Sequence, residues 1–352
     1  MSDRTEQLLA SVNQAIEDRR ALAIVGNGSK PFIGRAAVGT PLSVGEHTGI
    51  VDYEPSEMVV TARAGTTIAD LDRELAGHGQ TLASEPPCFA GKATLAGTLA
   101  CNLSGPARPW AGSLRDHVLG LRLINGRGEH LRFGGQVMKN VAGYDVARLQ
   151  AGAMGVLGVI TEVSVRVQPV PECRLTRVFE LDAQAAVDRI AKFCGRNTPL
   201  SGGCWHDGRL YLRLAGPEAA LGRITSKMGG ESLDNGDEFW QSIRDYEHRF
   251  FAGAESLFRF SLPPATGQFE LDGNWLLDWG GAQRWLSGSH ELAKLETLAT
   301  ERNGQVSLFK GGDRNGDVFH QRDAVQQRIH QSLKAAFDPL GIFNPGRLYR
   351  WM

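Results

Sequence analysis

Apolar residues recur along this chain at two spacings, the helical 3.6 and the strand-like 2, and the two alternate from the start. Residues 1–20 set Leu8, Leu9, Val12 and Ile16 on one side of an otherwise polar stretch, which predicts an amphipathic helix. Residues 21–25 read as a short buried strand running into a loop of Gly26, Asn27, Gly28, Ser29 and Lys30. Residues 58–64 read as a second strand. A helix follows, capped by Thr67 with Asp70 three residues on, turning Ile68, Leu71 and Leu75 inward and stopped by Gly77 and Gly79. Residues 118–124 and 130–133 flank the turn Asn125, Gly126, Arg127, Gly128, a hairpin signal. Residues 158–167 predict a further strand, closed by Pro169 and Pro171.

Two prolines one residue apart stop a strand, so residues 168–173 (QPVPEC) read as a domain boundary. A second pattern begins there: strand 174–181, helix 183–195, a hairpin over 204–214 turning at Asp207 and Gly208, and helix 217–228. Further strands are expected at 257–262, 275–279 and 306–309, with a helix over 291–303. The pattern predicts an α+β unit, a mixed, mainly antiparallel sheet with helices on one face. A last helix, 321–337, places Val325, Ile329, Leu333 and Phe337 along one side and breaks at Asp338 and Pro339, before a compact turn, GIFNPGRLY.

The totals exclude more than they suggest. At 352 residues the chain exceeds one ordinary domain, and two is the default. Lys+Arg 38 against Asp+Glu 39 leaves a formal net charge of -1, no electrostatic footprint for nucleic acid or an anionic membrane. Cys88, Cys101, Cys173, Cys194 and Cys204 contain no C-x-x-C spacing, so a reduced compartment is the simplest reading. The polar first helix is not an export signal, and the glycosylation-like strings at Asn27 and Asn102 are read as coincidence. Charge-free stretches such as 151–161 are broken by glycine and fall short of the roughly 20 apolar residues a spanning helix needs. Direct membrane insertion is not expected.

Glycine placement carries the chemistry. The loop of Gly26 to Lys30 offers consecutive backbone amides and a cation, an anion-binding nest. It is not the G-x-G-x-x-G fingerprint, because Pro31 stands at the third glycine position. An ordinary strand-to-helix turn explains it equally well alone. In TLAGTLACNLSGP, Gly97 and Thr98 would let the chain pass edge-on to a ring system, while Thr98, Asn102 and Ser104 supply polar partners. Gly105 closes that block, and its bland reading is a structural loop. Gly112, Ser113, Arg115 and Asp116 lead into the strand beginning at Val118, and Gly155 to Ile160, with Gly158 between, would close the other side through backbone amides.

In that order, VGNGSK, TLAGTLACNLSGP, AGSLRDHVLGLRLINGRGE, GYDVARLQAGAMGVLGVITEVSVRV and DPLGIFNPGRLY, the chain resembles the flavoproteins of the vanillyl-alcohol oxidase and p-cresol methylhydroxylase (PCMH) type. Within them it is similar to the E-type subunits of bacterial glycolate oxidase. The resemblance covers the first half and the last two dozen residues. It implies a two-part FAD-binding domain over 1–172, a cap over 173–320, and a helix and turn over 321–352 returning to the first part. It implies the FAD pyrophosphate on Gly26, Asn27, Gly28, Ser29 and Lys30, and flavin and ribityl contacts from Gly97, Thr98, Asn102, Ser104, Gly105, Gly112, Ser113, Asp116 and Val118. Gly155, Gly158 and Ile160 would support the adenine side, and Asn344 would return toward the isoalloxazine. Relatives with tethered flavin often carry histidine in the first glycine loop; here Ser29 and Lys30 stand there, so FAD is expected to be non-covalent.

Oxidising a 2-hydroxy acid requires a group for the hydroxyl proton and a cation for the carboxylate. Lys139, Tyr144 and Arg148, in KNVAGYDVAR, are the candidates the resemblance places near the cofactor, although helix capping and packing is the stronger reading of all three. The metal-binding H-x-G-D-G-N-x-H segment of related dehydrogenases is missing: Leu271, Asp272, Gly273, Asn274, Trp275 lacks both histidines. His47, His78, His117, His130, His206, His248, His290, His320 and His330 show no ligand-like pairing, so no metal is expected. Trp205, Trp240, Trp275, Trp279, Trp285 and Trp351 read as core or interface residues, and Cys101 as a small buried residue.

The resemblance therefore implies an FAD-binding subunit of a complex that oxidises glycolate, and D-lactate, to the 2-oxo acid. Its implied partners are a catalytic flavoprotein D-type subunit and an iron–sulfur F-type subunit, with cytoplasmic placement at the inner membrane face through those partners. Two other readings stay open: a self-sufficient FAD-dependent 2-hydroxy-acid dehydrogenase, and a redox-silent scaffold of the same fold.

Overall fold

The computed structural model describes residues 2–135, 144–196 and 198–352. Its first sheet has five antiparallel strands in the order Ile50–Glu54, Val59–Arg63, Val159–Arg166, Val118–Ile124, His130–Gly134. Val159–Arg166 is the middle strand and is buried along nearly its whole length, as a strand covered on both faces must be. The first helix, Thr5–Glu17, buries Leu8, Val12 and Ala15 against this core. Ile68–Gly77 adds Ile68, Leu71 and Leu75, with the Thr67 side chain accepting from the Asp70 amide as its sequence requires. Beside this sheet, Leu22–Val25 pairs in parallel with Thr40–Ser43.

The second sheet has eight strands, antiparallel at every described pairing, in the order Glu231–Ser232, Cys173–Glu180, Arg209–Gly216, Leu200–His206, Asn274–Asp278, Gln283–Ser287, Leu257–Ser261, Gln305–Lys310. Strand alternation divides its side chains between two cores. One face carries Leu210, Leu212, Phe260, Leu286 and Leu308 against the helices Ala183–Cys194, Glu218–Met228 and Leu292–Thr300. The other turns Cys204, Leu276, Trp285 and Phe309 toward Ile33, Leu103 and Met154 of the first half. The helix Gly236–Arg244, which the residue pattern does not predict, packs Trp240 and Ile243 into this second face. Helices therefore cover both faces rather than one.

Three more departures have physical causes. Residues expected to pass as an extended loop form the helix Leu95–Cys101, because Thr94 caps it and Leu95 and Leu99 bury completely. The strand Gln283–Ser287 is hidden in the pattern because two of its buried residues are polar: Gln283 and Arg284. Arg284 is accommodated by donating to the carbonyls of Gly281, Gly267 and Thr266. In the last helix, Ala324–Phe337, the expected apolar side is only half used. Leu333 and Phe337 pack on Val156 and Leu157, while Val325 and Ile329 are more than half exposed (55% and 54%).

That helix instead buries a cation. Lys334 Nζ donates to Asp338 Oδ2, to the Val156 carbonyl and to the Phe343 carbonyl, each at 2.7 Å. Asp338 in turn accepts from the amides of Ile342 and Phe343. The turn so held lays Phe343 beside Leu22, and the Asn344 amide donates to the Leu22 carbonyl. Asp338→Ala would leave the ammonium buried and uncompensated. A loss of about 3–5 kcal/mol of stability is expected, read by chemical denaturation, with Lys334→Met, which strands the buried Asp338 carboxylate, costing a similar amount.

Candidate functional site

A cavity of about 380 Å³ opens between the strand Leu22–Val25 with its following loop, the helix Leu95–Cys101, residues 154–160 and residues 344–347. Its lip is the loop 26–30. The amides of Asn27, Gly28, Ser29 and Lys30 have no acceptor among the described residues, and Gly28 takes φ +64, where L side chains are strained. Two glycines leave room for the Thr94 side chain, Gly26 from the loop and Gly97 from Thr94's own helix. A Cβ on Gly26 would stand 2.6 Å from Thr94 Oγ1, and one on Gly97 would stand 2.8 Å from the same atom. Thr94 caps the helix by accepting from the Gly97 amide, so one hydroxyl fixes where that helix meets the loop.

Asn344 closes the opposite wall. Its Oδ1 accepts from the Ile24 amide at 2.7 Å, and its Nδ2 donates to the Met154 carbonyl at 2.6 Å. Both ends of the side chain are thus committed to joining three distant segments, although the residue lines the cavity. A Cβ on Gly155 would reach 2.8 Å from Asn344 Nδ2.

The lining is mainly apolar, with Lys30, Arg314 and Arg347 as its cations, and no Asp or Glu among the described residues lines it. Lys30 Nζ donates to Ser29 Oγ and lies 5.4 Å from the Phe89 ring centroid; burial pulls its pKa below the usual value. Burial pushes the Cys101 thiol up, which disfavours a reactive thiolate. Unpaired amides, backbone-tight glycines and cations without carboxylates suit a large, partly apolar anion. A dinucleotide such as FAD fits that donor set.

Of the residues singled out in the sequence, the cavity brings together Gly26, Asn27, Gly28, Ser29, Lys30, Gly97, Gly155, Gly158, Ile160 and Asn344. Thr98, Asn102, Ser104, Gly105, Gly112, Ser113, Asp116 and Val118 do not line it. Ser113 and Asp116 form a capping box on Leu114–His117, Ser104 Oγ accepts from the Leu114 amide, and Val118 is core. Thr98 Oγ1 and Asn102 Oδ1, on the cavity helix and its cap, are buried without a partner. Tyr144 is 95% exposed, Arg148 pairs with Asp145 at 3.2 Å, and Lys139 lies outside the described residues. Met154, Arg314 and Arg347 were missed as lining residues, because their elements meet only through the fold, while Cys101, within the glycine block, was read only as a small buried residue. Among the described residues no group of three or more metal-ligating side chains gathers, and no helix is long and apolar enough to cross a membrane.

The eight-stranded sheet also meets the first half of the chain through polar contacts. Arg213 Nη2 donates to Glu85 Oε2 at 2.7 Å, and Trp279 Nε1 donates to the Gly105 carbonyl. Arg108 stacks over the Trp279 ring at 4.3 Å. Asp278, buried beside them, accepts from the Trp279 amide and Gln283, yet burial dominates and pushes its carboxyl up to about 7.

Comparison with known proteins gives a consistent picture. Residues 2–134 match the FAD binding domain family. The chain is 44% identical to the glycolate oxidase component GlcE of Escherichia coli over 99% of its own length and 98% of that protein's. It is 32% identical to the glycolate oxidase component GlcD of Bacillus subtilis over 40% of this chain and 31% of that one. It is 28% identical to a D-lactate dehydrogenase of Anaerostipes hadrus over 50% and 37%. Among solved structures, alkyldihydroxyacetonephosphate synthase superposes with a TM-score of 0.68 at 15% identity, covering 97% of this chain and 75% of that one, a likeness of fold.

The Asp278 carboxyl keeps its proton in the folded chain between about pH 4 and pH 7, where the unfolded chain releases it. Its contribution to stability is therefore present at low pH and lost as pH rises through that window. Asp278→Asn is expected to flatten this fall, seen as a smaller difference in urea midpoint between about pH 5 and about pH 8 than in the parent chain.

Proposed function

Because this chain belongs to the GlcE family of glycolate oxidase components, we propose that it is the FAD-binding subunit of a complex oxidising glycolate, and D-lactate, to the 2-oxo acid. The observation that carries the reading is the row of unpaired amides from Asn27 to Lys30 at the mouth of a cavity that holds cations and no carboxylate among the described residues. Residues 1–172 with 321–352 form the cofactor part, and 173–320 the cap over it. The amides and Lys30 bind the diphosphate, Gly97 gives the ring system room against the helix, and Asn344 holds the wall in register. Bound FAD supplies the hydride acceptor.

FAD is held without a covalent bond, since Ser29 and Lys30 occupy the loop position where tethered relatives place histidine and the Cys101 thiol stays protonated. Electrons leave through a D-type flavoprotein subunit and an iron–sulfur F-type subunit, which bring the chain to the inner face of the membrane.

Two measurements test this. Acid precipitation of the purified chain is expected to release all its flavin into the supernatant; flavin left on the protein would show a tether. Gly97→Leu is expected to lower FAD content about tenfold at an unchanged fold by circular dichroism, and to lower the activity of the reconstituted complex in parallel. A fully active complex containing flavin-free Gly97→Leu chain would make the chain a scaffold, and turnover by the chain alone with an artificial acceptor would make it self-sufficient.

A further inference from the structure

The loop 26–30 accounts for one anion, but the cavity carries more cation than that. Arg314 and Arg347 both line it. Arg314 Nη1 donates to the Leu308 carbonyl at 2.8 Å, while its Nη2 is buried with no partner among the described residues. Arg347 donates only to the carbonyls of Arg35 and Pro31. Neither guanidinium pairs with a carboxylate among the described residues. Burial, and then the repulsion of Arg347, pulls Arg314 down to about 10. A third guanidinium, Arg259 on Leu257–Ser261, does not line the cavity and lies over the Phe309 ring, 5.4 Å from its centroid. It too has no carboxylate partner among the described residues.

Partly buried like charges repel one another, and the backbone carbonyls they reach return only part of the hydration each loses. A planar oxyanion would return the rest, since a guanidinium fork binds a carboxylate through two parallel hydrogen bonds. We infer that Arg314 and Arg347 form an oxyanion subsite for the carboxylate of a small 2-hydroxy acid. This rests on the flavin reading for its neighbour in the cavity. It also supplies the cation that Arg148, paired with Asp145, does not offer. The remaining oxyanion in such a cavity is a phosphate of the dinucleotide itself, and the two sources separate experimentally.

The full chain, with and without FAD, is titrated calorimetrically with oxalate, an unreactive dicarboxylate. Arg314→Met and Arg347→Met are each expected to weaken oxalate binding at least tenfold while FAD content and denaturation midpoint stay unchanged. Arg314→Lys, which keeps the charge but loses the fork, is expected to bind oxalate more weakly than the parent chain and more tightly than Arg314→Met. Unchanged oxalate affinity in both methionine variants overturns the subsite. So does parallel loss of FAD, which would give the guanidiniums to the dinucleotide phosphate. A parent chain that takes up no FAD defeats the cofactor reading instead, and oxalate binding to that chain and its variants then decides the subsite by itself.

Discussion

One ammonium group withdrawn from water holds the cavity together. Lys334 has spent its hydration on a carboxylate and two backbone carbonyls, and each partner belongs to a segment the cavity needs: Val156 behind its floor, Asp338 and Phe343 on the returning turn. Burying such a pair gains little over an apolar substitute, but breaking it is expensive. Its value is therefore geometric. It allows one arrangement of the turn, and that arrangement brings Asn344 to Ile24 and Met154. The rest of the binding surface is built outward from that position.

The facing sheet closes over this base with different chemistry. Phe32 lies between Phe89 and Phe309 at ring separations of 5.9 and 5.6 Å, and Tyr246 packs with Phe89, Phe251 and Trp285. Tyr246 does so at φ +59, a left-handed conformation that costs a bulky residue about 1–2 kcal/mol. Only tight surroundings sustain it, which marks this seam as rigid. The polar contacts alongside, Arg213 donating to Glu85 and the Cys88 amide donating to Asp245, fix register more than they add stability.

Local signals were legible in the chain, and assembly was not. The Thr67 cap, the hairpin at Asn125 and the 26–30 loop each depend on a few adjacent residues, so their chemistry is written where it acts. The helix at Leu95 escaped because Gly97 and Thr98 are poor helix formers and its support, Thr94 against Gly26, comes from elsewhere in the sequence. The strand at Gln283 escaped because Arg284 is buried by carbonyls that only the fold assembles. Asn344 was legible as a candidate site residue, and it lines the cavity, but its part as a clamp was not. Arg314 and Arg347 could not be picked out, since what distinguishes them from other arginines is the absence of an acid beside them.

The clamp between Ile24 and Asn344 joins residues 320 positions apart. A chain grows from its first residue at the ribosome, and domains fold as they emerge. The five-stranded sheet, complete by Arg166, can form early, and the eight-stranded one can follow while synthesis continues. The wall at Asn344 arrives long after both. Flavin capture is therefore a late event in the life of this protein, and a nascent chain stalled before that asparagine would carry two folded sheets and no finished place for a cofactor.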